Sequence, residues 1–245
     1  MSPLWIVIIV VGGLLVVGGL LTWMVRWLRN SYQAEEERFM ARLREELPRR
    51  GWTFLERDDR YAEVFNEVQR HTELNPMIVG FDRRPSASQA HDIVTGQHRG
   101  RPFLGAKFFV KDPMDSGTNG SLGYRDVIWV RLPAPRPTLE VRKVFRLQSA
   151  VNDGLGVGDI RVGHPEFDRT YQVTAEDERF ARAVLTPQVV EFLLRDPRRC
   201  QGFWIRGVQF DVYDDFAEQR DPDALLPALD LRCDLLDRMS PAAWA

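Results

Sequence analysis

The stretch DIVTGQHRGRPFLGAKFFV, residues 92–110, decides the fold class of this chain. Its two arms, Asp92–Gly96 and Pro102–Val110, are rich in the β-branched and aromatic residues that favour strands. Gly100 lies in the polar segment between the arms, where a turn is expected. The stretch therefore predicts a β-hairpin in the middle of the chain.

Further strands are predicted on both sides of this hairpin. The β-rich runs are Trp52–Leu55, Ile78–Phe81, Val127–Leu132, Thr138–Phe145, Phe167–Val173 and Trp204–Tyr213. The proline-rich segment 133–137 separates two of them and is predicted to lie at an edge or between strands, because proline cannot donate to a β-ladder. Two glycine-rich stretches, Lys111–Gly123 and Asn152–Gly163, are typical of exposed loops.

Helices are predicted at both ends of the chain and between the strands. They are expected at residues 31–47, Tyr61–Gln69, Glu176–Leu185, from Thr186-Pro187 onward and at Ala224–Arg238. Pro48 and Gly51 should end the first of them. Thr186 and Asp221 are each followed by proline, which combines a capping side chain with proline at the first helical position. The predicted fold class is α+β: an N-terminal transmembrane helix followed by one domain with a mainly antiparallel sheet and flanking helices.

The segment Leu4–Val25 has no charged side chain. At about 1.5 Å per residue it reaches about 33 Å, which is enough for a bilayer core of about 30 Å. Trp5, Trp23 and Trp27 stand near its ends, where indole side chains favour the membrane interface. A cleaved signal peptide fits poorly, because no lysine or arginine precedes the apolar run. The predicted organisation is a transmembrane anchor at 1–30, a juxtamembrane helix at 31–49 and a soluble α+β domain at 50–245.

Positive charge follows the predicted span and does not precede it. The arginines that follow closely are Arg26, Arg29, Arg38, Arg42 and Arg44. This bias predicts a single-pass protein of the cell membrane whose soluble domain faces the cytoplasm. The opposite orientation stays open, because a single anchor also tethers many exported domains. The lipid bilayer is the first predicted partner.

The charge balance excludes one class of partner. The formal net charge is −2, and residues 31–245 hold 31 basic side chains (33 less Arg26 and Arg29) against 35 acidic ones. This balance leaves no basic footprint for nucleic acid, so no nucleic-acid partner is predicted. The two cysteines, Cys200 and Cys233, are expected to be free thiols and not a disulfide framework.

Searches for known site motifs predict no catalytic, cofactor-binding or metal-ligating residue, and no cofactor. The histidines are scattered without zinc-ligand spacing, and the run GLGVG at 154–158 lacks the third glycine of a dinucleotide fingerprint. One acidic run could offer oxygen ligands to calcium, but it lacks the EF-hand pattern and is interpreted as a solvated loop. Its members are Asp211, Asp214, Asp215, Glu218, Asp221 and Asp223.

Four stretches are distinctive in composition. They are Gly96–Phe103, Arg131–Val141, Gly163–Val173 and Arg179–Ala181 with Leu185–Pro187. In these stretches the chain resembles a family of uncharacterised bacterial proteins, found chiefly in actinobacteria, that combine an optional N-terminal span with a soluble domain of unknown function. The resemblance implies a fold grouping and supplies no catalytic residues.

Among the charged residues of those stretches are Arg101 near the hairpin turn, and Asp168 and Arg169 beside Glu166. An internal ion pair or a strand-end hydrogen bond is the expected role of each. A ligand-binding arginine stays open as an alternative, because guanidinium binds carboxylate and phosphate well.

Two functions of different classes remain. The first is a noncatalytic, membrane-anchored interaction or scaffold domain with a protein partner of unknown identity and an open oligomeric state. The alternative is an enzyme or small-ligand binder whose site is assembled from residues distant in sequence. A surface apolar patch would favour the first, and a pocket lined by several polar groups would favour the second.

Overall fold

The computed structural model describes residues 3–71, 84–112, 121–144, 160–198, 200–215 and 218–244, except for the side chains of residues 3–16, 28 and 30–35. The chain divides into two compact units, Met1–Glu45 and Glu46–Ala245. The predicted strand Ile78–Phe81 and most of both predicted glycine-rich loops lie outside the described residues.

The described elements are seven helical segments and six strands, with three consecutive strands in the middle of the chain. The helices are α1 Pro3–Arg50, α2 Tyr61–Arg70, α3 Pro165–Thr170, α4 Glu178–Val184, α5 Pro187–Arg195 and α6 Pro222–Leu236, with a short 3₁₀ turn at Pro241–Ala243. The strands are β1 Thr53–Arg57, β2 Ser86–His98, β3 Arg101–Asp112, β4 Ser121–Lys143, β5 Tyr171–Ala175 and β6 Gly202–Val212. The strands form one sheet in the order β1-β2-β3-β4-β5, and β6 pairs with β4. Every pairing is antiparallel, so the predicted α+β class with a mainly antiparallel sheet is confirmed.

The predicted hairpin is formed by β2 and β3. His98 pairs with Arg101, and the two residues between them, Arg99 and Gly100, both have positive φ, at 50° and 77°. Positive φ at both central positions is the geometry of the turn whose twist matches that of two antiparallel strands. Both strands run further than the sequence predicts, since β-bulges let β2 continue back to Ser86.

Strand β4 overturns the prediction of two separate strands. The chain runs through the proline-rich segment 133–137 as one strand, and its pairing with β6 shifts register between Arg131 and Arg136 and again before Leu139. A bulge supplies residues that need not donate to the ladder, which is how a strand accommodates proline. As a result, β4 pairs with β3 along its first half and with β5 and β6 along its second.

Two other predicted boundaries are wrong. The strand predicted at Phe167–Val173 begins only at Tyr171, because the preceding residues form α3, with His164 accepting a hydrogen bond from the Phe167 amide at 3.3 Å. Pro48 does not end the first helix but lies in the last turn of α1. Both errors come from rules that consider neighbouring residues alone. The alternation that predicts a strand begins inside α3, and the proline that predicts a helix end lies inside α1.

The predicted helix caps are confirmed. The Thr186 hydroxyl accepts from the Val189 amide, and the Asp221 carboxylate accepts from the Asp223 amide at 3.1 Å. Asp177 caps α4 in the same way. Each satisfies backbone donors that the first turn of a helix leaves unpaired.

Helix α2 packs on one face of the sheet and builds the main aromatic core. Phe65 contacts Phe108 and Trp129, with ring centroids 5.1 and 5.9 Å apart, and Trp204 closes the cluster against Trp129 at 5.9 Å. Trp52, beside the Phe103 ring at 5.0 Å, is also buried. Trp52 and Trp204, the first residues of two predicted strands, are therefore both part of the buried core.

In the described part of the chain, no helix is both long enough and apolar enough to cross a membrane. The predicted transmembrane span at Leu4–Val25 is not confirmed by this finding.

Candidate functional site

Two members of the acidic run that was predicted to be a solvated loop, Asp211 and Asp214, instead pair with a buried arginine, Arg232. The Arg232 side chain on α6 is only 2% exposed. Its Nη2 donates to Asp211 Oδ1 at 2.6 Å, and its Nη1 donates to Asp214 Oδ2 at 2.8 Å. Nε donates to the Ile128 carbonyl of β4 at 2.8 Å. The arrangement satisfies the guanidinium within the protein and joins β4, β6 and α6.

The electrostatics of this buried cluster follow from desolvation. Burial raises the pKa of Asp211 to about 6, and the neighbouring Asp214 carboxylate adds to that effect while Arg232 opposes it. Burial opposes the charge of Arg232, but the two aspartates outweigh it and raise the pKa of Arg232. The cluster is a structural element of the interior, and the sequence pattern offered no sign of it because its members come from distant elements.

A second network of charges lies at the β2–β3 turn. Arg99 donates to Asp234 at 2.7 Å and also to Asp237, and Arg101 donates to Asp237 at 2.5 Å. Asp234 also accepts from Arg198 at 2.9 Å. These side chains are about one-third exposed, so the pairs hold the turn against α6 and add modest stability. The predicted ion pair of Arg101 is therefore present.

Asp168, Glu166 and Arg169, from the third distinctive stretch, also have internal partners. Asp168 accepts from the amides of Val162 and Gly163 at 2.9 and 3.0 Å. Glu166 pairs with Arg195 at 2.7 Å, and Arg169 donates to the Pro165 carbonyl at 3.1 Å. The contacts of all three are those of structural residues.

The histidines and cysteines are dispersed among the described elements. His98 pairs with Asp230 at 2.8 Å, His164 caps α3, His91 contacts the Tyr124 ring, and His71 follows α2. Among the described residues no group of three or more histidine, cysteine or acidic side chains is placed to hold a metal ion. Both cysteines are buried free thiols, and burial raises the pKa of Cys200 to about 12.

A small cleft lies between α2 and the bulge where β4 meets β6. Its volume is about 70 Å³, and its wall combines apolar and polar residues. The lining residues are Val64, Glu67, Val68, His71, Pro135, Arg206, Gly207, Val208 and Gln209. Gly207 has φ of +57°, which a side chain would strain, and a Cβ there would lie 3.0 Å from the His71 ring. The glycine therefore keeps the bulge and the helix end close together.

Two buried polar atoms in the residues lining this cleft have no partner among the described residues. They are Nε of Arg206 and Oε1 of Gln209, on side chains that are almost fully buried. The guanidinium of Arg206 does bind elsewhere, since Nη2 donates to Glu140 at 2.9 Å and the group lies 4.8 Å above the Trp204 ring. Burial acts to raise the pKa of Glu140, but Arg142 and Arg206 outweigh it and hold that pKa below its usual range. Arg206 is therefore paired with Glu140 through Nη2, while its Nε has no partner among the described residues.

An apolar patch lies at the start of β4, on the other face of the sheet. Leu122 and Tyr124 are 66% and 62% exposed. Tyr124 lies beside Phe109, with ring centroids 5.3 Å apart. No described strand pairs with Leu122–Asp126 on the side away from β3, because β6 joins β4 only at Val130. The patch and the open edge together are called the β4 edge here.

Sequence reasoning missed both the cleft and the β4 edge. The cleft depends on a bulge and on residues about 145 positions apart along the chain, from Val64 to Gln209. The β4 edge falls at the end of the stretch Lys111–Gly123, which was predicted to be an exposed loop. The available signal was the presence of two large apolar residues, Leu122 and Tyr124, shortly before the predicted strand Val127–Leu132.

No protein-family model matches this chain, and no curated protein does either. A solved structure that matches is the crystal structure of the mycobacterial trehalose monomycolate transport factor A, TtfA. The match has 15% sequence identity and covers 82% of this chain and 96% of that chain, with a TM-score of 0.40. A likeness at this level carries no argument about what this chain does.

Proposed function

We propose that this chain is a membrane-anchored, noncatalytic interaction domain that binds a protein partner through the β4 edge. The observation that carries the proposal is the exposure of Leu122 and Tyr124 on a strand whose outer side pairs with no described strand. An open strand edge offers backbone donors and acceptors, and alternate side chains beside it supply specificity.

The geometry favours an extended segment of the partner as the occupant. Such a segment can add to the sheet along Leu122–Asp126, all of which are exposed. An apolar side chain on every second residue of the segment would lie against Leu122 and Tyr124, which point to the same face of the sheet. The added strand must end near Ile128, because Arg232 already occupies the carbonyl of that residue.

Site-specific cross-linking checks this proposal. A Cβ at Gly123 would meet no other atom within 4 Å and φ there is ordinary, so Gly123→benzoylphenylalanine places a photoreactive group on the edge without strain. Irradiation of native membranes should give one defined product. Adding Leu122→Lys and Tyr124→Lys should lower its yield about tenfold, since charge removes the apolar contact and blunts a strand edge.

Leu55→Lys is the matched control for this experiment. Leu55 is an exposed leucine, 42% accessible, on β1 at the opposite end of the sheet. That variant should keep the full yield of cross-linked product. An unchanged yield in the Leu122→Lys, Tyr124→Lys variant would reject the β4 edge, and a product of twice the chain mass would identify a second copy of this chain in place of a different protein.

The membrane anchor is part of the proposal. The uncharged run Leu4–Val25 is long enough for a bilayer core. In the first half of α1, several large apolar side chains are about half exposed or more. Among them are Leu20, Trp23 and Val25. A helix that presents apolar side chains in this way needs an apolar environment, and the lipid bilayer supplies one.

The soluble domain is proposed to face the cytoplasm, on the arginine bias described above. An alkaline phosphatase fused after Ala245 should be inactive, and a fluorescent protein at the same position should be bright, because each reporter works on only one side of the membrane. An active phosphatase with a dark fluorescent fusion would place the domain outside. Membership of the actinobacterial family that the chain resembles is likewise proposed here.

A further inference from the structure

We infer that the partner at the β4 edge is a second copy of this chain, whose own β4 edge pairs with it antiparallel across a two-fold axis. The inference rests on the proposed function, because it names the occupant of the same edge. In this arrangement Gly123 lies opposite Gly123 of the second copy, and Leu122 lies opposite Tyr124 of the second copy. A two-fold axis brings the same patch of both copies together, so the patch must be complementary to itself.

The backbone of β4 points the required hydrogen-bonding groups outward. Along a strand, the N–H and C=O of one residue point to one side and those of the next residue to the other. Arg232 reaches the Ile128 carbonyl from α6, so Ile128 points away from β3. Every second residue before it points the same way, and these are Leu122, Tyr124 and Asp126.

The β2–β3 turn gives the same directions independently. In a two-residue hairpin the flanking residues, here His98 and Arg101, direct their backbone groups at each other. Arg101 and every second residue after it therefore point toward β2, and the residues between them, among them Val110, point toward β4. Val110 pairs with Gly123, so Gly123 faces β3 and its two neighbours face the open edge.

The side chains select one register among those that a two-fold axis allows. An axis centred on Gly123 pairs Leu122 of each copy with Tyr124 of the other, so the two large exposed apolar residues of the edge meet twice. Cross-strand pairs of aromatic and aliphatic side chains stabilise antiparallel strands. The axis itself crosses a non-hydrogen-bonded pair, where side chains come closest, and glycine leaves that position uncrowded.

Neighbouring registers lose this match. An axis centred on Arg125 would place two arginines directly opposite, and like charges in that position are destabilising. An axis centred on Tyr124 would place Leu122 opposite Asp126. An axis centred on Leu122 would leave Tyr124 past Ser121, the first residue of β4. The register centred on the glycine is the one that pairs apolar with apolar.

The charges and rings beside the edge agree with this register. Arg125 pairs with Asp112 of its own chain at 3.1 Å, and it would lie opposite the uncharged Ser121 of the second copy. Phe109 lies behind Tyr124, with ring centroids 5.3 Å apart. The apolar contact would therefore extend from the edge of each copy onto its strand β3.

Disulfide trapping of the full chain in detergent checks the inference. Gly123→Cys should form a disulfide-linked dimer under mild oxidation, because a residue on the two-fold axis lies opposite itself. The Cα atoms of such a pair are about 4.5 Å apart, which suits a disulfide. A Cβ at Gly123 meets no other atom within 4 Å, so the substitution causes no clash. The native cysteines are both buried, and the unaltered protein gives the background.

Two further variants test the register. Ser121→Cys and Arg125→Cys should each stay monomeric alone, because the same residue of the second copy lies four positions away, about 13 Å along the strand. An equimolar mixture should give a linked dimer with one chain of each variant, because these two positions lie opposite each other. Mass spectrometry of the linked peptides identifies the pair.

Controls separate this pairing from random collision. Leu55→Cys is exposed on β1 at the opposite end of the sheet, and it should stay at the background of the unaltered protein. Adding Leu122→Lys and Tyr124→Lys to Gly123→Cys should abolish the linked dimer, because like charges would then lie opposite each other.

The outcomes distinguish this inference from the proposed function. A Gly123→Cys protein that links no more than Leu55→Cys does would overturn the second copy as the occupant, and so would a mixture of the Ser121 and Arg125 variants that stays monomeric. If the photoproduct of Gly123→benzoylphenylalanine then contains a different protein, the β4 edge remains a docking site. If it gives no product either, the edge itself is rejected.

Discussion

Replacement of Arg232 by methionine is expected to lower the free energy of unfolding by about 3–5 kcal/mol, the range for removal of one partner from a buried ion pair. The substitution leaves Asp211 and Asp214 in the interior without the guanidinium that lies 2.6 and 2.8 Å from their oxygens. It also removes the donor to the Ile128 carbonyl. Chemical denaturation monitored by tryptophan fluorescence gives the value.

Two control variants separate charge burial from the loss of a side chain. Arg195→Met breaks the pair with Glu166, which has a similar N–O distance of 2.7 Å but side chains that are 58% and 41% exposed. Arg195→Met should lower the free energy of unfolding by less than about 1 kcal/mol. Adding Asp211→Asn and Asp214→Asn to Arg232→Met should restore much of the lost stability, because no uncompensated charge then remains. A cost for Arg232→Met as small as that of Arg195→Met would show that the cluster is not desolvated.

The stability difference between the unaltered protein and Asp211→Asn is expected to change by up to about 3 kcal/mol between pH 4 and pH 7. The pKa of Asp211 rises from the ordinary value of 3.8 to about 6 in the folded protein. The folded state therefore holds the proton more tightly than the unfolded state. The stability that Asp211 contributes is fully present below about pH 4 and is lost as pH rises through about 6, whereas asparagine does not titrate.

The measurement is a set of denaturation curves for both proteins across this pH range. The free energy of unfolding of Asp211→Asn, relative to that of the unaltered protein, should increase as pH rises. Asp196→Asn serves as the control of opposite sign, because the hydrogen bond from Arg198 lowers the pKa of Asp196 and that carboxylate stabilises the fold at higher pH. A stability difference between the two proteins that stays constant from pH 4 to 7 would contradict the raised pKa of Asp211.

Local sequence rules predicted the features of this fold that depend on neighbouring residues. The caps at Thr186 and Asp221 follow from a hydroxyl or carboxylate placed directly before a proline. The β2–β3 hairpin follows from two strand-forming runs about a short turn. In each case the deciding contacts lie within a few residues.

The rules failed where distant partners decide the structure. Segment 133–137 stays in β4 because β6 offers a bulged partner, and Asp211 is buried because Arg232 reaches it from α6. The run Phe167–Val173 alternates as a strand would, yet His164 and Pro165 start a helix there. The cleft could not be predicted for the same reason, since α2 and β6 meet only in the folded chain.

Because Arg232 lies on α6, the protein cannot complete its fold during synthesis until that helix has been made. Helix α6 leaves the ribosome after all six described strands, and its arginine supplies the positive charge that β6 requires at Asp211. A nascent chain that stops before α6 therefore carries an acidic pair that its interior cannot accept. Such a chain is not a smaller version of the fold but an unfinished one, with exposed apolar surface for chaperones and proteases to recognise.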